Sequence, residues 1–340
     1  MIIDFSTKTL PIANTDFEKQ VSSFIKDWFD DSLTVKVQTS GSTGTPKVFE
    51  IEKERMCHSA NKTCDILNLK EGDSALLCLP VEYISGKMMV VRAIERKLKL
   101  VVNSPSAKPI SDLNQEIDFC AMSPLQVENS LTKLHLIKNI IIGGAAVSES
   151  LKIKISKVLK NSKTQPSIFE TYGMSETLSH IALKQVYPIA EDYFKVLDGV
   201  EISLDERNCL QIFAPKLNPE LLTTNDLVEI KDRTEFRFLG RIDNIINSAG
   251  LKIYPEQLEN LVKKSISNEV VFLGIPNELL GQKLVMVIED EENPITIQQI
   301  ESVVYPTRNH RPKEIIFVKK FPRIPNGKVN RKELMNMILK

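Results

Sequence analysis

Residues 39–47 read Thr-Ser-Gly-Ser-Thr-Gly-Thr-Pro-Lys, a run whose residue types suit phosphate chemistry. Thr39, Ser40, Ser42, Thr43 and Thr45 offer hydroxyls and Lys47 an ammonium, while Gly41 and Gly44 permit backbone conformations closed to other residues. Such a loop can cradle a polyphosphate. Residues 34–37 and 48–51 alternate like strands, which predicts a glycine-rich turn between two strands. A Walker loop is excluded, because that motif needs its Gly-Lys-Ser/Thr to open a helix, and here Pro46 precedes the lysine and a strand-like run follows. On these residues alone a solvated hairpin turn stays open as the alternative.

No second kind of chemistry competes. Five cysteines (Cys57, Cys64, Cys78, Cys120, Cys209) and four histidines (His58, His135, His180, His310) are scattered without ligand spacing, so neither a zinc site nor a Cys/His nucleophile is supported. Cys57 and Cys64 are expected to share one buried helix face. Lys+Arg and Asp+Glu both number 44, which leaves no global field to attract nucleic acid or an anionic membrane. No apolar run approaches a membrane span, and residues 1–10 carry Asp4 and Lys8 where a secretory segment is apolar. The expectation is a cytoplasmic protein.

The elements that must position the loop follow from periodicity. Residues 16–30 and 52–68 carry apolar residues at helical spacing. Short apolar strands at 75–79, 99–102, 119–122, 139–142 and 167–170 then alternate with helices at 88–94, 123–133 and 148–158. That alternation predicts an α/β fold with a doubly covered, mainly parallel sheet, whose ligands sit at the carboxyl ends of the strands. Two loops fall there, at 143–146 (Gly-Gly-Ala-Ala) and 171–177 (Thr-Tyr-Gly-Met-Ser-Glu-Thr). From about Val186 short strands and turns predict a small antiparallel or barrel-like β annex. At 340 residues the chain is long enough for two domains. The division is expected at 242/243: a large domain over 1–242 and a small, mobile α+β domain over 243–340.

In order, these motifs resemble those of the adenylate-forming superfamily of acyl-CoA synthetases, peptide-synthetase adenylation domains and luciferases. The resemblance runs from the 39–47 loop to the last helix. It implies that the loop grips the phosphates of ATP and that Gly143, Gly144 and Ala145 lie beside the adenine. It implies that Tyr172, followed by Gly173, stacks near the base, that Ser175 contacts the α-phosphate and that Glu176 helps hold Mg2+. Asp226 would bind the ribose and Arg241 the nucleotide, although Asn225 stands where the family has glycine. Asp243 would be the hinge, Gly250 would line a tunnel for coenzyme A, and Lys328, in Pro-Asn-Gly-Lys-Val-Asn-Arg, would bridge the substrate carboxylate and the α-phosphate.

Among these families the chain most resembles short 2-succinylbenzoate–CoA ligases of menaquinone biosynthesis, through Leu-Pro-Val-Glu-Tyr-Ile-Ser-Gly at 79–86 and Tyr-Gly-Met-Ser-Glu-Thr-Leu-Ser-His at 172–180. Only 38 residues precede the loop, so the resemblance implies that the usual N-terminal subdomain is missing. Tyr83, where relatives often carry histidine, Ser85 and Gly86 would line the acid pocket. Lys87 or Arg92 would pair with a second carboxylate of the substrate, a solvated helix charge being the alternative for each. The implied enzyme is an acid–thiol ligase using a small carboxylic acid, ATP, Mg2+ and coenzyme A, with self-association left open. Transfer of the acyl group to a carrier protein, or a non-catalytic nucleotide-binding relative, are the competing readings.

Overall fold

The computed structural model describes residues 1–7, 10–38, 48–323 and 329–339. The 39–47 loop and Lys328 lie outside the described residues. The chain begins with β1 (Ile2–Asp4), α1 (Asp16–Trp28), β2 (Thr34–Gln38), β3 (Val48–Glu52) and α2 (Lys53–Ile66). An alternating stretch follows: β4 (Ser74–Leu77), α3 (Ile84–Glu95), β5 (Lys99–Val102), β6 (Ile117–Met122), α4 (Pro124–Glu128), β7 (Ile137–Ile142), α5 (Glu149–Leu159) and β8 (Ser167–Gly173). Strands then succeed one another: β9 (His180–Tyr187), β10 (Phe194–Val196), β11 (Glu201–Leu204), β12 (Cys209–Ala214), β13 (Asn218–Ile230) and β14 (Glu235–Arg241). The last part comprises β15 (Ile246–Ser248), β16 (Leu251–Ile253), α6 (Pro255–Val262), β17 (Val270–Asn277), β18 (Gly281–Glu289), α7 (Pro294–Glu301), β19 (Glu314–Val318) and α8 (Arg331–Ile338).

Twelve strands form one sheet in the order β1-β5-β4-β6-β7-β8-β9-β10-β14-β13-β12-β11. Strands β5, β4, β6, β7 and β8 pair in parallel, as the alternation of strand and helix requires. From β8 onward every pairing is antiparallel. The strands expected as an annex thus hydrogen-bond directly into the parallel block through β8 and β9. Residues 171–173, expected in a loop, belong to β8 and pair with β9 from Thr171↔Leu183 to Gly173↔His180.

Alternate residues of the parallel strands point to opposite faces. Ala75, Leu77, Phe119, Ala121 and Ile141 join the core under α1, α2 and α3. Leu76, Cys78, Cys120, Met122, Ile140 and Ile142 join the core under α5. A second sheet, β16-β15-β18-β17 with β19 parallel to β18, has its own two apolar faces, one covered by α6 and α7 and the other by α8. A single 3-10 turn, Ile242–Asn244, carries the chain from the large sheet to the small one. Among the described residues no helix is long and apolar enough to cross a membrane.

Two local constraints fix α3. Gly86 lies in its first turn, where a Cβ would come within 2.2 Å of the Pro80 carbonyl oxygen. Gly86 is therefore a packing glycine that lets the helix lie against the 79–80 backbone. Six residues on, Arg92 is buried at 2% exposure beside His180 of β9, itself 6% exposed. Burial and the Arg92 charge push the His180 pKa down to about 3, so the ring is neutral in the folded protein.

Gly86→Ala is expected to lower stability by about 1–3 kcal/mol, as overpacking does, measured by urea denaturation. The histidine gives a pH signature. The unfolded chain takes up a proton near pH 6.5 that native His180 refuses until about pH 3, so stability falls as pH drops through that window, by up to about 1.4 kcal/mol per pH unit. Denaturation curves between pH 6 and 4 should therefore be less steeply pH-dependent in His180→Gln than in the parent.

Candidate active site

The parallel strands deliver their carboxyl ends to one edge of the sheet, where the described residues 143–145 and 172–176 of the sequence-predicted site follow β7 and end β8. The β2–β3 hairpin pairs as far as Gln38↔Val48, which sets the base of the 39–47 loop. Gln38 also bridges to Tyr83 in parallel, so the loop base and the start of the 83–86 segment are neighbours. Tyr83 is the residue before α3 and is half-buried, whereas Ser85 is exposed.

Gly143 and Gly144 follow β7. A Cβ on Gly143 would meet Thr171 Oγ1 at 2.8 Å, and Gly144 has φ +85°, so neither position suits a larger residue. Behind them Glu170 accepts from the Val147 amide at 3.0 Å and pairs with Lys184 at 2.9 Å. Ala145 is exposed. At the end of β8, a Cβ on Gly173 would fall 2.3 Å from the Ser179 carbonyl oxygen, so the tight approach of the two chains requires glycine. Ser175–Thr177 then forms a 3-10 turn that presents Ser175 and Glu176 to solvent. Thr177 holds it from below, its one hydroxyl proton lying between Met174 O at 3.0 Å and Ser179 O at 2.8 Å, and Asn218 Nδ2 donates to Glu176 O at 3.1 Å. Among the described residues no hydrogen bond or ion pair engages the Glu176 carboxylate.

Tyr172 connects the parallel and antiparallel parts of the site. Its ring packs against Phe194, Phe236 and Phe238, with centroids 5.8, 5.0 and 6.5 Å away. Its hydroxyl donates to Asp226 Oδ2 at 2.6 Å, and burial with that carboxylate raises the phenol pKa far above its ordinary value. Asp226 of β13 faces Arg241 of β14 in register, 3.6 Å from Oδ1 to the guanidinium. Arg241 also donates to Asp243 Oδ2 at 3.0 Å.

Asn225, the departure from the family pattern, is not among the residues with positive φ. Its amide donates to both Asp243 oxygens at 3.2 and 3.1 Å, and its oxygen accepts from Arg207 at 2.9 Å. Arg207 was not foreseen from sequence, since a lone arginine in a turn gives no signal. Gly250 occupies the exposed tip of the β15–β16 hairpin, where Ala249 and Gly250 have φ +52° and +78°. Both positive values fit a type I′ hairpin turn. Next to it, Lys252 and Tyr254 line a cleft of about 350 Å³ with Arg207, Leu227 and Ile245, between the two sheets.

The two cations offered for a second carboxylate diverge. Five residues apart on α3, they are separated by about 140° of rotation. Lys87 lies 4.4 Å over the Phe24 ring of α1, its pKa lowered by burial, with Asp27 and Glu82 acting against that. Arg92 points into the sheet, where Nη2 donates to Ser179 Oγ at 2.8 Å and Nη1 to Met89 Sδ at 3.7 Å. Its Nε finds no partner, no carboxylate faces it among the described residues, and burial pushes its pKa down to about 10. Half-buried Ser179 and buried His180 lie in the 172–180 motif, yet nothing in the sequence marks them as neighbours of Arg92, because packing behind the strand is invisible there.

Known proteins of similar sequence and fold show the family. The family model described as AMP-binding enzyme matches residues 11–206. A curated relative, 2-succinylbenzoate–CoA ligase from Listeria monocytogenes, is 25% identical over 95% of this chain and 73% of its own length. A crystal structure described as an acyl-CoA synthetase (AMP-forming)/AMP-acid ligase II-like protein from Dyadobacter fermentans is 33% identical over the whole of both chains, with a TM-score of 0.65. The structure of O-succinylbenzoate coenzyme A synthetase from Bacillus subtilis with ATP and magnesium shares the fold at a TM-score of 0.71 and 19% identity, over 88% of this chain and 69% of that one. With more than half of its length matched by the family model, the chain belongs to the AMP-binding enzyme family, whose members form adenylates from acids.

Proposed function

We propose that this enzyme is an acid–CoA ligase whose substrate is an aryl acid with a second carboxylate, 2-succinylbenzoate, which places it in menaquinone biosynthesis. The observation that carries the substrate reading is Arg92, a buried guanidinium without a carboxylate partner among the described residues. A buried charge left uncompensated is costly, and an anionic group of the substrate arriving at Ser179 would compensate it. The opposed position of Lys87, over Phe24, makes Arg92 the better of the two candidates.

The substrate carboxylate attacks the α-phosphorus of ATP and pyrophosphate leaves; the thiol of coenzyme A, giving up its proton, then attacks the acyl carbon and AMP leaves. A carboxylate is already a nucleophile, so the protein's part is to position groups and neutralise charge. Residues Thr39, Ser40, Gly41, Ser42, Thr43, Gly44, Thr45 and Lys47 hold the β- and γ-phosphates. Gly143, Gly144 and Ala145 leave room for the adenine, and Tyr172, fixed by three phenylalanines and Asp226, supplies a rigid aromatic edge. Asp226 and Arg241 take the ribose, Ser175 the α-phosphate, and Lys328 the reacting end. Glu176, an exposed carboxylate with no protein partner among the described residues, suits a magnesium ion that otherwise keeps phosphate and water oxygens as ligands. Bound there, the ion neutralises phosphate charge. Tyr83 and Ser85 border the acid. Residues 243–340 form the moving domain, with Asp243 as hinge and Gly250 on the coenzyme A side.

Purified protein with 2-succinylbenzoate, ATP and coenzyme A should release pyrophosphate and yield the CoA thioester; adenylate without thioester would instead indicate a carrier-protein acceptor. Lys328→Ala should reduce adenylation by at least about a hundredfold, the scale of losing one transition-state charge contact, and largely spare thioester formation from supplied acyl-adenylate. Equal loss in both half-reactions would remove the lysine from its role. Arg92→Met should raise the KM for 2-succinylbenzoate about tenfold or more with little change in the KM for ATP.

A further inference from the structure

Helix α2 and strand β9 meet over a chain of polar side chains for which the two reaction steps have no direct use. Thr63 Oγ1 donates to the Ser59 carbonyl, one turn back in α2, at 3.1 Å. A hydroxyl has one proton to give, so its 3.3 Å contact with His180 Nε2 is filled by a proton on the ring. Nδ1 is then a bare lone pair facing Ser179 Oγ at 3.3 Å, and Ser179 donates to it. Arg92 Nη2 can only donate, and at 2.8 Å it meets the Ser179 lone pair. Every proton runs one way, from Arg92 through Ser179, His180 and Thr63 to the Ser59 carbonyl.

We propose that His180 is a specificity-determining positioning residue: by accepting the Ser179 proton it turns that hydroxyl's lone pairs toward Arg92 and makes the guanidinium the donor that selects a second, anionic carboxylate. Met89 takes one Nη1 proton and Ser179 one Nη2 proton, while Nε–H has no partner among the described residues, so the guanidinium keeps donors to offer an incoming anion. An apolar residue at 180 would release the Ser179 proton. The hydroxyl could then donate to a charged or a neutral acceptor alike, and the guanidinium would lose its anchor. The inference rests on the diacid reading above.

Two measurements test it. Nitrogen NMR of the full-length protein labelled at histidine should show His180 as the neutral tautomer with the proton on Nε2 at pH 7; a proton on Nδ1, or an imidazolium, overturns the proposal without any variant. Steady-state kinetics would compare 2-succinylbenzoate with an analogue carrying a carboxamide in place of the second carboxylate. His180→Leu should raise the KM for the diacid about tenfold relative to the carboxamide, the scale of one charge-assisted hydrogen bond, with smaller changes in kcat and in the KM for ATP. His180→Gln, which keeps a donor and an acceptor, should recover most of the discrimination and serves as the folded control. Equal effects on both acids in His180→Leu, or equal loss of ATP binding, would reduce His180 to a core residue. If Arg92→Met also leaves discrimination intact, the diacid reading itself fails; if Arg92→Met abolishes it and His180→Leu does not, only the role of His180 fails.

Discussion

The antiparallel pairing of β8 with β9 is the constraint on which the rest of the molecule depends. There the parallel block, which brings loops to one edge, meets strands able to lay side chains across that edge. Gly173 permits the junction, since its position lies too close to the Ser179 backbone for any side chain. On one side of the junction Tyr172 reaches Asp226 of β13; on the other, Ser179 reaches Arg92 of α3. One short strand pair thus ties together residues more than a hundred positions apart.

Local signals in the sequence were strong where packing agreed with them. The run Lys99–Val102 is a strand with the expected ends, and the helices after β3 and before β8 follow their apolar periodicity. Legibility failed where tertiary pairing decided. Ile2–Asp4 is too short to announce itself and becomes a strand by pairing with β5. Residues 171–173 read as loop because glycine punctuates them, yet β9 holds them in the sheet. The expected helix over 123–133 stops at Glu128 and continues as the 3-10 turn Leu131–Leu136.

Charges show the same division. Asp226 and Arg241 could be named from their motifs, and the register of β13 and β14 brings them opposite each other. Lys87 and Arg92 could not be separated in sequence, because both are cations on one helix and only burial tells them apart. Their surroundings, an aromatic ring for one and a half-buried hydroxyl with an unmatched donor of its own for the other, give them different physics. Asn225 read as a defect in a motif, yet it supplies two hydrogen bonds to Asp243 that glycine has no atoms to make.

Arg241 stands between two carboxylates, Asp226 at 3.6 Å and Asp243 at 3.0 Å, and one guanidinium has a fixed fan of donors to divide between them. Any group that draws it toward Asp226 draws it away from the turn joining the two sheets, and any movement of that turn alters what is left for Asp226. Thermodynamic linkage makes that exchange reciprocal: whatever free energy a ligand on the Asp226 side adds to or removes from the setting of the turn, the turn returns in equal measure to the ligand's affinity.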